Sequence, residues 1–200
     1  KDDYNFIYDR KKHYSADTQK PTPKTGQKKG FYGKRGKADW ATLPKGKPWF
    51  GQIQLGGGKT NTRKLADKVD PTTMKVPPYF PNEKIFRQEW AHHYDTVRVT
   101  DGHVKNIMGR LEADGLLKNT IVFFFSDHGN NHSLRHKQFC YEGGVHVPFM
   151  IKGNHPAISA GTVRDELVNA LDIPVQMRSL YKTAPHMHNY INLLEEAQAQ

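Results

Sequence analysis

The chain contains a single cysteine, Cys140, among 200 residues. One thiol cannot form an intrachain disulfide, so a disulfide framework is excluded and the fold must rest on packing and hydrogen bonding. No run of about 18 apolar residues occurs, so no membrane-spanning helix is expected. Apolar residues make up only 36% of the chain, which is polar for a self-sufficient fold. Acidic residues are outnumbered, 20 against 30 Lys and Arg, giving a formal charge of +10. No internal repeat is visible. The sequence opens on Lys1-Asp2-Asp3-Tyr4, with neither an initiator methionine nor a signal peptide, and reads as the interior of a longer protein.

The positive charge is concentrated at one end. Residues 1–47 hold 13 Lys/Arg against 5 Asp/Glu, a net +8, so the other 153 residues carry only +2. Such a segment attracts polyanions or forms a solvated flank. It carries no recognised nucleic-acid motif, and no nucleic-acid partner is expected. Its Gly, Pro and Thr content predicts irregular loops. Residues 48–181 read as the core, with 182–200 as a tail whose Leu193-Leu194-Glu195-Glu196 predicts a short helix.

Three apolar runs predict strands: Pro48–Leu55, Thr120–Phe125 and Val145–Ile151. Between the first two, apolar residues recur at near-helical spacing at Trp90, Tyr94, Val97, Val104, Ile107, Met108 and Leu111. Asn82 is the expected N-cap and Gly115 the expected stop, with a break near Asp101-Gly102. Arg164–Tyr181 predicts a further helix, interrupted at Pro174. The alternation of strands and helices predicts an α/β fold with a mainly parallel sheet flanked by helices. Ligands of such folds bind beyond the carboxyl ends of the strands.

Two motifs lie at such ends. Ser126-Asp127-His128-Gly129-Asn130-Asn131 follows the Phe-rich strand. Asp127 offers a carboxylate and His128 an imidazole nitrogen, and where a strand breaks into a loop both can converge on one ion. The same residues also make an ordinary capped turn. Gly56-Gly57-Gly58-Lys59 follows the first strand, and Lys59 either meets an anion through flexible backbone or lies in a surface loop. Lys137, ten residues after Asp127, has the same two readings: a cation beside a bound oxyanion, or a solvated side chain.

In combination these stretches are less generic. TIVFFFSDHGNN, HKQFCYEGG and VHVPFMIKG, in that order, resemble the C-terminal part of the sulfatase catalytic domain, nearest to bacterial sulfatases of the heparan N-sulfatase type. VPPYFP and the helix HHYDTVRVTDGHVKNIMGRLEADGLLKNT resemble what precedes that strand in the family, and Asp165–Pro174 resembles a later family helix. The resemblance covers residues 48–175. It implies an alkaline-phosphatase-like α/β fold, incomplete in this chain, and metal-dependent hydrolysis of sulfate esters or sulfamates. The implied partner is a sulfated small molecule or glycan, and the implied location periplasmic or secreted. Asp127 and His128 stand at the family's paired metal-ligand position, which is Asp-Asn in many members. The family metal is usually Ca2+, and histidine there leaves Mn2+ or Zn2+ open. Lys137 matches the family lysine that contacts the sulfate group.

The departures from the family pattern are as specific. The formylglycine precursor motif, Cys or Ser followed by x-Pro-x-Arg, does not occur in these 200 residues. Cys140 precedes Tyr-Glu-Gly and is expected to be a buried structural thiol. Asp2-Asp3 lacks the apolar strand that precedes the family's first metal pair. Gly56 stands where the family often has a histidine, with Lys59 three residues on as a replacement cation. The expectation is therefore a partial sulfatase catalytic domain. The alternatives are a phosphatase or phosphodiesterase of the same superfamily, or a non-catalytic polyanion-binding relative.

Overall fold

The computed structural model describes Trp40 and residues 46–130, 133–183 and 189–195, with the backbone alone described for 181–183 and 189–195. The basic segment expected over 1–47 thus lies almost wholly outside the described residues. The elements in chain order are β1 (Trp49–Leu55), α1 (Lys84–Ala113), β2 (Thr120–Ser126), a single helical turn α2 (Glu142–Val145), β3 (Phe149–Lys152), α3 (Asp172–Thr183) and β4 (Asn189–Glu195).

The four strands form one sheet in the order β1-β4-β2-β3. β4 runs parallel to both β1 and β2, and β3 runs antiparallel to β2. The expected α/β arrangement is present, with an antiparallel edge strand on an otherwise parallel sheet. β2 supplies both cores by alternation, as a strand with two covered faces must. Val122 joins Ile53, Leu55, Ile107, Leu111 and Trp40 on the side of α1. Ile121 and Phe123 join Ile173 and Leu180 on the side of α3. Among the described residues no helix is long and apolar enough to cross a membrane.

Several local expectations are corrected. The helix expected at Leu193–Glu196 is instead strand β4. Tyr190-Ile191-Asn192-Leu193-Leu194 contains aromatic and β-branched residues in a short apolar run, and pairing on both edges by β1 and β2 outweighs a weak helical preference. α1 continues through Asp101-Gly102 without a break, because its flanks pack and one glycine costs only about 1 kcal/mol in a long helix. Its N-cap is Glu83, while the Asn82 carbonyl and side chain both accept from Arg87 Nη1, at 2.7 and 2.8 Å. The expected stop is present. Gly115 has φ +72°, its N–H bonds the Glu112 carbonyl, and the Leu116 N–H bonds the Leu111 carbonyl, a Schellman closure. The helix expected from Arg164 begins only at Asp172. Pro174 falls in its first turn, where no N–H is needed, and so starts the helix rather than interrupting it. The strand expected at Val145–Ile151 begins after Pro148, and Glu142–Val145 is helical.

Candidate functional site

The sheet topology sets where the motifs meet. Leu55 of β1, Glu195 of β4 and Ser126 of β2 share one register. Gly56–Lys59 and Asp127-His128 therefore leave the same edge of the sheet, with the width of β4 between them, about 10 Å.

Beyond Ser126 the chain turns sharply. The Ser126 hydroxyl donates to the His128 carbonyl at 2.7 Å, and the Ser126 N–H donates to the Pro148 carbonyl at 3.3 Å. The Gly129 N–H donates to the Gly144 carbonyl at 3.2 Å, tying this loop to the Glu142–Val145 turn. The approach is close enough to require glycine. A Cβ on Gly129 would lie 1.8 Å from the Gly143 carbonyl oxygen, and one on Gly144 would lie 2.2 Å from the Phe139 oxygen and 2.3 Å from that of His136. The glycines of SDHG and YEGG thus form a single backbone contact.

His128 Nδ1 lies 2.7 Å from the Gly129 carbonyl. A carbonyl only accepts, so Nδ1 carries the proton, and in the neutral ring Nε2 is the nitrogen that keeps a lone pair. That nitrogen is 3.7 Å from Asp127 Oδ1, with both side chains partly exposed. Two donors so spaced suit one divalent ion with bonds of about 2.1–2.4 Å, and a backbone hydrogen bond at the far ring nitrogen is the usual support of a ligating histidine. The pair fits two places of a metal site. No cluster of three or more His, Cys, Asp or Glu suited to a metal occurs among the described residues.

The segment that follows folds back beside this loop. The Lys137 N–H donates to the Asn130 carbonyl at 3.4 Å, and the lysine is half-buried. Arg135 and Gln138 bracket His136-Lys137 and are the two non-glycine residues with positive φ among those described, +62° and +70°. Such conformations cost roughly 1–2 kcal/mol each and persist only where surrounding contacts hold them. Here His136 is the anchor. Its Nε2 lies 3.0 Å from the Tyr79 hydroxyl, and its ring meets Trp90 edge-on at 5.9 Å. An added Cβ on Gly143 would come within 2.5 Å of the same ring. Burial lowers the His136 pKa below the usual histidine value, which keeps the ring neutral near pH 7.

A cleft of about 750 Å³ opens beside these residues. Its lining includes Ser126, His128, Asn130 and His136, with Gly58 of the β1 turn. Val97, Val104 and Met108 of α1 and Val122, Phe124 and Met150 of the sheet also line it. His128 and the β1 turn therefore share a cavity, as strand-end logic requires. Lys59 itself is half-buried in the 3-10 turn Gly57–Lys59. Cys140 is exposed, which corrects the buried structural thiol expected for it.

The sequence pointed to Asp127, His128 and Lys137 as candidates but not to His136, Tyr79, Trp90 and Arg135 as their neighbours. Their only signal was proximity: His136 adjoins Lys137 and Tyr79 sits in VPPYFP, and neither position reports a contact made 57 residues apart.

Comparison with known proteins adds an independent line. The sequence profile of the sulfatase family matches residues 5–181. The chain is 30% identical over 114 residues to the ulvan-active sulfatase of Formosa agariphila, which covers 57% of this chain and 19% of that protein. It is 34% identical over 97 residues to an arylsulfatase of Clostridium perfringens, covering 46% and 20%. With human arylsulfatase K it shares 36% identity over 132 residues, covering 54% and 24%. The chain spans about a fifth of the length of the curated relatives it matches. No solved structure matches significantly. With strand-end motifs sharing one edge of an α/β sheet and a family profile covering most of the sequence, the chain belongs to the sulfatase family.

Proposed function

We propose that this chain forms part of the catalytic domain of a sulfuric-ester hydrolase with an alkaline-phosphatase-like fold. The observation that carries the reading is the family match over residues 5–181, which includes the whole SDHG-to-YEGG region. In this reading Asp127 Oδ1 and His128 Nε2 hold a divalent ion, Ca2+ by family precedent, with Mn2+ or Zn2+ compatible with the imidazole. Such an ion supplies positive charge against the oxygens of a bound sulfate group. Lys137 lies on the loop that returns to Asn130, and its ammonium donates to a sulfate oxygen and stabilises charge on the departing oxygen. Lys59, on the turn that shares the cleft with His128 through Gly58, is a second cation for the same anion. The substrate is a sulfated small molecule or glycan. These 200 residues contain no formylglycine precursor motif, so their part is metal and sulfate binding and none of them is the nucleophile.

The test is sulfate release from 4-nitrophenyl sulfate by the full-length protein. Removing one preorganised charge-stabilising donor typically costs 10²–10³ in kcat, so Lys137→Ala and Asp127→Ala are each expected to lose about 100-fold or more. Wild-type turnover in both variants would refute the assignment.

A further inference from the structure

Outside the cleft, the loop that carries Lys137 presents a surface that metal and sulfate binding do not use. The Arg135 guanidinium lies over two tyrosine rings, 5.4 Å from the centre of Tyr79 and 5.4 Å from that of Tyr141. Phe139 stacks on Tyr141, with ring centres 6.2 Å apart and planes 29° from parallel. The three rings are 40%, 54% and 53% exposed for Tyr79, Phe139 and Tyr141. Isolated exposed apolar side chains are ordinary on a protein surface, but contiguous ones mark binding sites. This group is contiguous and arranged around a cation. It is also held in place: Arg135 occupies a left-handed backbone conformation, and Tyr79 is fixed through its hydroxyl to His136, which lines the cleft.

The chemistry of the group specifies its ligand. Aromatic faces pack against the flat C–H face of a pyranose ring, while tyrosine hydroxyls reach sugar hydroxyls at the rim. A planar guanidinium bonds a sulfate or carboxylate through two parallel N–H donors. We propose that Tyr79, Arg135, Phe139 and Tyr141 form a saccharide subsite that holds an anionic sugar unit of a sulfated oligosaccharide next to the unit entering the cleft. The proposal deepens the sulfate-hydrolysing reading above and rests on it for the placement of the second unit. Stacking rings with a cation also suit single-stranded nucleic acid. The adjoining Lys137 and His128, at a site read as binding sulfate, favour the sugar.

The experiment measures binding and turnover in the full-length protein. The probes are size-matched hexasaccharides of heparan sulfate, chondroitin sulfate and a sulfated galactan, their desulfated counterparts, a single-stranded DNA oligonucleotide, and 4-nitrophenyl sulfate. Tyr141→Ala removes the central ring. Arg135→Asn removes the guanidinium while keeping a residue that tolerates positive φ. Each variant is expected to weaken binding of the best sulfated hexasaccharide about tenfold, the size of a desolvated cation–π or stacking contact. The ratio of kcat/KM on that hexasaccharide to kcat/KM on 4-nitrophenyl sulfate falls by the same factor. Unchanged hexasaccharide affinity in both variants, an equal loss on both substrates, no hexasaccharide binding by the wild type, or tighter ring-dependent binding of the DNA would each overturn the subsite. Ring-dependent hexasaccharide binding by a protein that releases no sulfate from any probe would support the subsite and overturn the hydrolase reading. Sulfate release from 4-nitrophenyl sulfate with no ring-dependent binding would do the reverse.

Discussion

The contact between SDHG and YEGG gives the most exacting test of the site's architecture. In Gly129→Ala the new methyl would sit 1.8 Å from the Gly143 carbonyl oxygen and 2.9 Å from its carbon. Both are backbone atoms, so no side chain can swing aside. Opening the gap from 1.8 Å to even a tight 3.0 Å contact moves one backbone segment by about 1.2 Å. That displacement lengthens the 3.2 Å bond from the Gly129 N–H to the Gly144 carbonyl beyond hydrogen-bonding range. Losing this bond costs about 1 kcal/mol, and forcing apart a packed contact adds roughly 1–3 kcal/mol, for a total of about 2–4 kcal/mol. Urea unfolding followed by tryptophan fluorescence reads this as a lower midpoint at unchanged slope. Gly102→Ala is the control. It lies mid-helix with no atom within 4 Å of the added methyl, and should stabilise by about 0.5–1 kcal/mol through helix propensity. A Gly129→Ala protein within about 0.5 kcal/mol of wild type would refute the close approach and the loop geometry built on it.

Two further predictions concern stability. Asp114 accepts from the Trp40 indole N–H at 2.8 Å and faces Arg110 Nε at 3.6 Å, and Arg110 lies 4.4 Å over the Trp40 ring. Asp114→Ala removes the acceptor of the buried Trp40 indole N–H and a carboxylate beside Arg110, and should destabilise by about 1–3 kcal/mol in the same urea assay. Burial lowers the pKa of both His103 and His136 in the folded protein. The unfolded chain then takes up protons first as pH drops below the ordinary histidine value of 6.5, so stability is full above 6.5 and declines as pH falls towards the folded values. His136→Gln, which removes one of the two groups, should flatten the decline between pH 7.5 and 5, and an unaltered slope would contradict the burial of that ring.

What could be read from the sequence was what depends on local pattern. The continuous apolar run Ile121–Phe125 announced a buried strand, and Gly115 announced a helix end. Asp127, His128 and Lys137 could be named because they sit in an ordered run of motifs. The strand β4 could not be read, because its state is decided by two neighbours more than sixty residues earlier in the chain. His136 was hidden for a similar reason: its role comes from Tyr79 and Trp90, on a connection and a helix remote in sequence. Cys140 misled because free cysteine is among the most often buried residue types, whereas here it is exposed.

The proposed handling of sulfate esters by Asp127, His128 and Lys137 is read from kcat/KM of the full-length protein on 4-nitrophenyl sulfate against 4-nitrophenyl phosphate, with bound metal counted in the same preparation. The prediction is faster turnover of the sulfate, one divalent ion per protein, and loss of that ion in Asp127→Ala. Preferred turnover of the phosphate with two bound zinc ions would contradict it.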